Sequence, residues 1–461
     1  MDNLKLSFYG GTGVVTGANF LLESISPNLR VDRNKTKILI DCGLFQGSRI
    51  TERKNRDSFP YDPSSIDALF ITHAHLDHIG RIPKLTRDGF RGRIYSTDAT
   101  KDLAELVMRD SIGIMEKEAK WNNEDVFYSE EDIDKAIELW GTVPYNKTID
   151  IKDFKIKFKD SGHILGSAMI EIIYKGKKIV FTGDLGNSPA PLLKDAQIIN
   201  NADYLIIESV YGDRAHEPFP ERAEKLKRII KETIEIGGVL MIPVFSIERT
   251  QILLYELNNL IEKGVIPKIP VFLDSPMAIK ATMIYKKYEN LFNNNVQNII
   301  KSGDDIFNFP CLSFSLETSE SKAINDVENP KIIMAGSGMS NGGRIVHHEK
   351  RYLSDPKSTL LIIGYQAINT LGRKIQDGAT NVKMFGENVP IRAKIENIRG
   401  YSAHADSDGL VAFVKNTKEK VKKVFITMGE PKSANTLANR LHKELNVDAV
   451  VPNEGEQTEL F

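Results

Sequence analysis

Three of the chain's nine histidines fall in one short run, Thr72-His73-Ala74-His75-Leu76-Asp77-His78. Imidazole nitrogens interleaved with a carboxylate form a borderline donor set, suited to zinc and comparable transition metals. On an extended turn after an apolar strand, His73 and His75 point to one side, and Asp77 and His78 reach the other. A carboxylate among three histidines has no packing purpose, so a mere surface cluster explains the run poorly. Two later segments add donors of the same kind. His163 sits in a turn between glycines, in Asp160-Ser161-Gly162-His163-Ile164-Leu165-Gly166-Ser167, and Asp184 ends the strand-like run Val180-Phe181-Thr182-Gly183-Asp184. A lone histidine or aspartate after a strand is most often structural, so these two gain weight only in order behind the first run. Asp41, after Ile38–Ile40, is placed to orient a ligand histidine from behind.

The elements that must position these side chains are short apolar runs ending in polar or glycine-rich turns: Lys37–Asp41, Ala68–Thr72, Lys178–Thr182, Tyr204–Glu208, Val239–Phe245, Lys331–Ala335, Thr359–Gly364 and Lys423–Thr427. They lack clean alternation and suit strands buried on both faces. Between Pro220 and Ile236 the apolar residues follow helical spacing, and Gly237-Gly238 supplies a stop. The next helix is predicted to begin at an N-cap, Ser246, with Gly264 ending it and the strand Ile269–Leu273 following. From about residue 203 to 390 the pattern alternates strand and helix, as in an α/β domain. The first two hundred residues carry more strands and fewer helices, which predicts a mixed or antiparallel sheet, with Ala119–Ile137 a helical surface insertion.

The 461 residues are long enough for two or three domains. At 41% hydrophobic and 27% charged, the composition excludes a disordered or fibrous chain. Lys plus Arg total 61 against 62 Asp plus Glu, a net charge of −1. A polyanionic partner must therefore meet a local concentration of positive charge, because no global field exists. Two cysteines, Cys42 and Cys311, exclude a disulfide framework and point to a reducing compartment. No signal-peptide pattern opens the chain, and no apolar run approaches the roughly 20 residues of a membrane helix. The expectation is a soluble, cytoplasmic protein.

At its histidines and aspartates the sequence resembles the metallo-β-lactamase superfamily. The His-x-His-x-Asp-His signature is intact, and His163 and Asp184 match in order and spacing. Ile206-Ile207-Glu208-Ser209-Val210-Tyr211-Gly212-Asp213-Arg214 looks like the first motif of the β-CASP branch, where an acidic residue follows a strand. Gly400-Tyr401-Ser402-Ala403-His404-Ala405-Asp406 looks like the second, which carries a histidine. Ser246–Gln251, Asp274–Thr282, Ser337–His348 and Gly364–Gly372 resemble interior segments of the branch, so the likeness covers nearly the whole chain. It implies an α/β fold, an αββα metallo-β-lactamase sandwich with an inserted α/β β-CASP domain. Residues 1–210 would form the first part of the sandwich, 211–389 the insert and 390–461 the returning part.

The resemblance also implies chemistry. Members of the branch act on nucleic acids, and compact ones of this length are generally ribonucleases, cutting internally or from the 5′ end. Metal one would take His73, His75 and His163, metal two would take Asp77 and His78, and Asp184 would bridge them. A hydroxide held between the metals is then the nucleophile, since a metal lowers the pKa of bound water from about 16 toward about 7. Asp77, Glu208 and His404 form the implied catalytic set, with His404 the general acid and Glu208 its orienting partner. The implied cofactor is Zn²⁺, up to two ions, with Mn²⁺ an alternative. RNA, single-stranded, is the implied partner, with a homodimer an allowed assembly and no membrane involved. The family places RNA between its two domains, and Arg249, Lys280, Ser337, Arg344 and Arg373 are the expected contacts. The glycine-rich Ser337–Gly343 could cradle a phosphate, and the basic stretch Arg81–Arg93 could meet an incoming strand or be a solvated face.

One position departs from the family. Its third motif is a histidine before Gly-Glu, and here Met428 precedes Gly429-Glu430. A thioether is a poor ligand for zinc, manganese or magnesium, so the second metal is expected to bind weakly. Met428 keeps two alternatives open, a DNA nuclease of the same branch and a weakly active or non-catalytic nucleic-acid-binding homologue. A third, a hydrolase of small esters or lactams, fits poorly with the long insert.

Overall fold

The computed structural model describes residues 3–25, 35–47, 49–122, 125–367 and 369–461. It divides into two compact units, residues 1–215 with 404–461, and residues 216–403. Among the described residues no helix is long and apolar enough to cross a membrane.

The first unit holds two seven-stranded sheets. Strands Asn3–Phe8, Phe20–Ile25 and Lys37–Ile40 pair antiparallel, and Lys37–Ile40, Ala68–Phe70, Arg93–Ser96 and Trp140–Thr142 then continue in parallel. The other sheet makes the same change. Phe154–Asp160, Ala168–Tyr174 and Lys177–Phe181 are antiparallel, whereas Lys177–Phe181, Tyr204–Glu208 and Lys423–Thr427 are parallel. One buried core joins the two inner faces, with Leu4, Phe8, Phe20, Ile38 and Phe70 from one sheet and Phe154, Phe158, Ile170, Phe181, Ile206 and Phe425 from the other. The outer face of the second sheet buries Val180, Leu205 and Ile207 against helices Ser407–Lys415 and Pro431–Leu445. Side chains that alternate between two buried faces explain why these strands read as continuous apolar runs. The expected insertion at Ala119–Ile137 falls on two helices, Asp98–Asn122 and Glu130–Glu138, with residues 123 and 124 outside the described ones.

The second unit is built on a six-stranded sheet, in the order Leu312–Phe314, Val271–Asp274, Lys331–Ala335, Val239–Pro243, Thr359–Ile363, Lys394–Ile398, with every pair parallel. The helix expected between Pro220 and Ile236 runs from Phe219 to Glu235. The next begins at Arg249 rather than just after Ser246. The chain first makes a tight turn through Glu248, at φ 71, and Thr250 Oγ1 donates back to the Phe245 carbonyl. A small antiparallel hairpin, Asn381–Met384 with Glu387–Pro390, stands apart from the main sheet.

Candidate active site

The parallel strands of the first unit place their carboxyl ends along one edge of each sheet, where open α/β structures gather functional loops. Asp41, Thr72 and His73 follow two such strands, and Asp184, Glu208 and Met428 lie at the ends of three more. His163 comes from the turn between Phe154–Asp160 and Ala168–Tyr174, at that same edge.

His73, His75, His163 and Asp184 converge. His75 Nδ1 lies 3.1 Å from His73 Nε2 and 3.2 Å from His163 Nε2. Asp184 Oδ2 lies 3.3 Å from His73 Nε2 and 3.4 Å from His163 Nε2. Four donors about 2.0–2.1 Å from a shared centre at tetrahedral angles stand roughly 3.4 Å apart, so these four have the spacing of a zinc-type ligand set. Burial lowers the pKa of His73, and takes His75 and His163 well below the usual imidazole range, with neighbouring imidazoles adding to the effect. Neutral imidazoles are the form that binds metal. Asp184 feels burial too, but His78 and His73 outweigh it and hold the carboxylate well below its ordinary pKa.

A second group sits on the other side of Asp184. His78 Nε2 is 3.4 Å from Asp184 Oδ1 and 3.9 Å from Asp77 Oδ2. His78 Nε2 and Asp184 Oδ1 are both buried, and neither has a hydrogen-bond partner among the described residues. At that distance the two atoms form an ion pair when His78 is protonated, and become a pair of ligand atoms where a cation displaces that proton. Burial raises the pKa of Asp77, although His78 opposes it. The ring of His78 is fixed from behind, its Nδ1 2.7 Å from Asp41 Oδ2. Asp41 in turn accepts from the Thr72 N–H at 2.8 Å and from the Thr72 hydroxyl at 2.7 Å. Burial works against a charged His78, but Asp184 and Asp41 prevail and hold its pKa well above the usual value.

Met428 follows its strand at φ 47 and belongs to the inter-sheet core. It lines a small cavity with His78, Asp41, Thr72 and Gly183. A thioether in apolar packing therefore stands beside the Asp77–His78 group, leaving that group with three oxygen and nitrogen donors. Gly183, at φ 53, permits the close approach, since a Cβ there would lie 2.6 Å from Thr72 Cβ.

Glu208 and His404 form the third part. His404 Nδ1 is 3.2 Å from each Glu208 oxygen and 3.8 Å from Asp184 Oδ2. Glu208 is fixed by the N–H groups of Leu185, at 2.7 Å, and Val210, at 3.3 Å. Burial raises the Glu208 pKa, with the His404 charge acting against it. The Ala405 N–H donates to the Leu185 carbonyl, tying the His404 segment to the loop that carries Asp184.

Two hydroxyls in the quoted segments do more than their residue types signalled. Thr72 connects Asp41 to the histidine run. Ser167 Oγ accepts from the His163 and Ile164 N–H groups and so sets the His163 turn. A hydroxyl within a few residues of a turn histidine is the only sequence sign of either role.

Family comparisons agree with this architecture. A metallo-β-lactamase superfamily domain matches residues 29–211, a Beta-Casp domain residues 250–375, and a Zn-dependent metallo-hydrolase RNA specificity domain residues 388–452. Ribonuclease TTHA0252 of Thermus thermophilus is 35% identical over 412 residues, 89% of this chain and 91% of the relative. The chain belongs to the β-CASP branch of the metallo-β-lactamase superfamily. An RNase J-like protein of Methanocaldococcus jannaschii is a further β-CASP relative, 34% identical over 93% of this chain and 95% of its own. The transcription termination factor FttA of Methanosarcina mazei is 34% identical over 96% of this chain and 70% of its own. A crystal structure of a protein of unknown function from Enterococcus faecalis has the same fold, with a TM-score of 0.54 at 13% identity, covering 99% of this chain and 100% of its own.

In the β-CASP unit the five expected RNA contacts differ in their commitments. Arg344 is engaged internally, its guanidinium bonded to Asp274 Oδ1 and to the carbonyls of Ser315 and Leu316. His348 also bonds Asp274, at 2.7 Å, so the pair anchors helix Ile345–Tyr352. Arg249 stacks on Phe245 and donates to the Tyr401 carbonyl. Arg373 pairs with Asp377 at a half-exposed position, and Lys280 is exposed on helix Pro276–Lys287. Ser337 Oγ accepts from Asn341 N–H within its own glycine-rich loop. In the Arg81–Arg93 stretch, Arg81 and Lys84 are buried against Phe59, while Arg87, Arg91 and Arg93 are exposed.

Proposed function

We propose that the chain is a metal-dependent ribonuclease that hydrolyses phosphodiester bonds of single-stranded RNA. The observation that carries this reading is the convergence of His73, His75, His163 and Asp184 beside the Glu208–His404 pair, in a chain of the β-CASP family. His73, His75, His163 and Asp184 would hold one divalent ion, and Asp77, His78 and Asp184 would hold the other. Zinc fits the imidazole-rich set, and Mn²⁺ is the alternative. Bound metal lowers the pKa of water toward neutrality and offsets the charge on the phosphate. Asp41 keeps the His78 ring aimed at Asp184. With Nδ1 directed to Glu208, His404 offers its other nitrogen to the leaving ribose oxygen and donates the proton there. Because Met428 supplies no oxygen or nitrogen, the second ion would be held the more weakly. Arg249, Lys280, Ser337 and Arg373 contact the RNA backbone, and Arg344, bonded to Asp274, fixes the start of helix Ile345–Tyr352. The two free cysteines fit a cytoplasmic setting.

The test is end-labelled RNA, with single-stranded DNA in a parallel arm, incubated with wild type, His73→Ala and His404→Ala in defined Zn²⁺ or Mn²⁺. The expected result is RNA cleavage by wild type alone. Equal cleavage by all three would trace the activity to a contaminant, and cleavage confined to DNA would replace the reading with a DNA nuclease.

A further inference from the structure

The hairpin of the β-CASP unit closes with Phe385-Gly386, since Met384 pairs with Glu387 across the turn. Both turn residues have positive φ, 48 for Phe385 and 85 for Gly386. This is the two-residue turn that favours Asn-Gly, because an ordinary side chain is strained at its first position. A phenylalanine there carries a second cost. Its side chain is 59% exposed, more than any other large aromatic among the described residues. Neither cost is recovered by core packing.

The ring is nonetheless held in place. The His347 imidazole stacks on it, with centroids 4.6 Å apart and planes 25° from parallel. Lys350 Nζ lies 5.8 Å from the ring centroid and is positioned by Glu387 at 2.7 Å. Arg351 and Lys383, on the same helix and hairpin, are exposed. Across helix Ile345–Tyr352 and the hairpin, Lys350, Arg351 and Lys383 stand against one exposed acid, Glu387, so these two segments carry net positive charge. A flat aromatic face backed by an imidazole, with a lysine at the ring and further cations on the same two segments, suits a nucleobase with its phosphates, because bases stack on aromatics whatever their sequence.

We propose that Phe385, backed by His347, is a stacking platform for a base of the RNA strand, with Lys350, Arg351 and Lys383 facing the adjoining phosphates. The platform deepens the ribonuclease reading and rests on it. It would bind RNA without regard to sequence and act on affinity rather than on the chemical step.

The test uses the full chain carrying Asp184→Asn to prevent cleavage, with fluorescein-labelled single-stranded RNA of twenty nucleotides followed by anisotropy. Phe385→Ala and Phe385→Asn are expected to weaken binding roughly tenfold, the loss of one base–aromatic stack, and Phe385→Trp to retain it. Phe385→Asn relieves the turn, so its melting temperature should equal or exceed that of the parent while its RNA affinity falls. That opposition of signs is what a merely structural ring would not show. Undiminished RNA binding by Phe385→Asn and Phe385→Ala, with or without a lower melting temperature, would overturn the platform. A shift in oligomeric state by light scattering with RNA affinity unchanged would also overturn it, making the ring a contact between copies. If the parent chain itself binds no RNA, the ribonuclease reading fails first.

Discussion

The converging histidine and aspartate side chains and the expected RNA contacts answer to different physical demands. In the first unit His73, His78, His163 and Asp184 are at most 2% exposed, and their donor atoms face one another. In the β-CASP unit the arginines expected to meet RNA already hold internal partners, a carboxylate for Arg344 and Arg373 and a carbonyl for Arg249. A buried imidazole cluster has few uses other than binding metal. An arginine serves equally well as strut, stacking plate or phosphate contact. Chemistry is therefore written narrowly in one unit and broadly in the other.

Substitutions test how deep that contrast goes. The largest effect is expected at Asp184, which both metal groups share. Asp184→Asn should cut RNA cleavage by roughly 10³-fold or more, since metal contributes several kcal/mol to such reactions. Elemental analysis should show metal content falling with it, and full metal content would separate Asp184 from the ligands. His404→Ala should lower kcat by about 10²–10⁴-fold with metal content unchanged, the scale of a lost general acid. Joint loss of metal would instead make His404 a ligand.

In the β-CASP unit the strongest effect is on stability. Glu349 is buried, bonds Ser340 Oγ at 2.5 Å, and has its carboxyl pushed up to about 8 by burial. A raised folded pKa means that the folded state keeps its proton after the unfolded chain has lost it. This contribution to stability is whole below about pH 4.5 and is lost as pH rises to about 8. Glu349→Gln mimics the protonated form. It should match wild type near pH 4.5 and exceed it above pH 8 by on the order of a few kcal/mol, measured as thermal melts across that range. Equal melting at both ends would show the carboxylate to be solvated. Asp41→Asn, which leaves the ligands in place, should weaken metal affinity about 10–100-fold in a chelator competition. Smallest of all, Arg373→Ala should weaken RNA binding only a few-fold and lower the salt-dependence slope by about 1. A larger loss would make Arg373 a principal anchor.

The convergence of the histidine run with His163 and Asp184, and of Glu208 with His404, was legible in the sequence from the quoted motifs and the family likeness they carry. So were the strands Tyr204–Glu208, Lys331–Ala335 and Lys423–Thr427, whose apolar residues mark both faces as buried. The start of the helix after Ser246 was not legible, since a serine offers a cap wherever it falls and the turn at Glu248 depends on tertiary contacts. The internal use of Arg344 was equally hidden. It depends on Asp274, seventy positions away, arriving at the end of a buried strand.

The pairing of Lys423–Thr427 beside Tyr204–Glu208 has a consequence in time. Glu208 leaves the ribosome long before His404, its partner 196 residues on. The strand that borders Glu208 in the finished sheet is made later still. Translation delivers the amino-terminal part first, so His73, His75, His163 and Asp184 exist for a period without His404, the proposed proton donor. If His404 is the proton donor, the site on a nascent chain stays incomplete until residue 404 has been made.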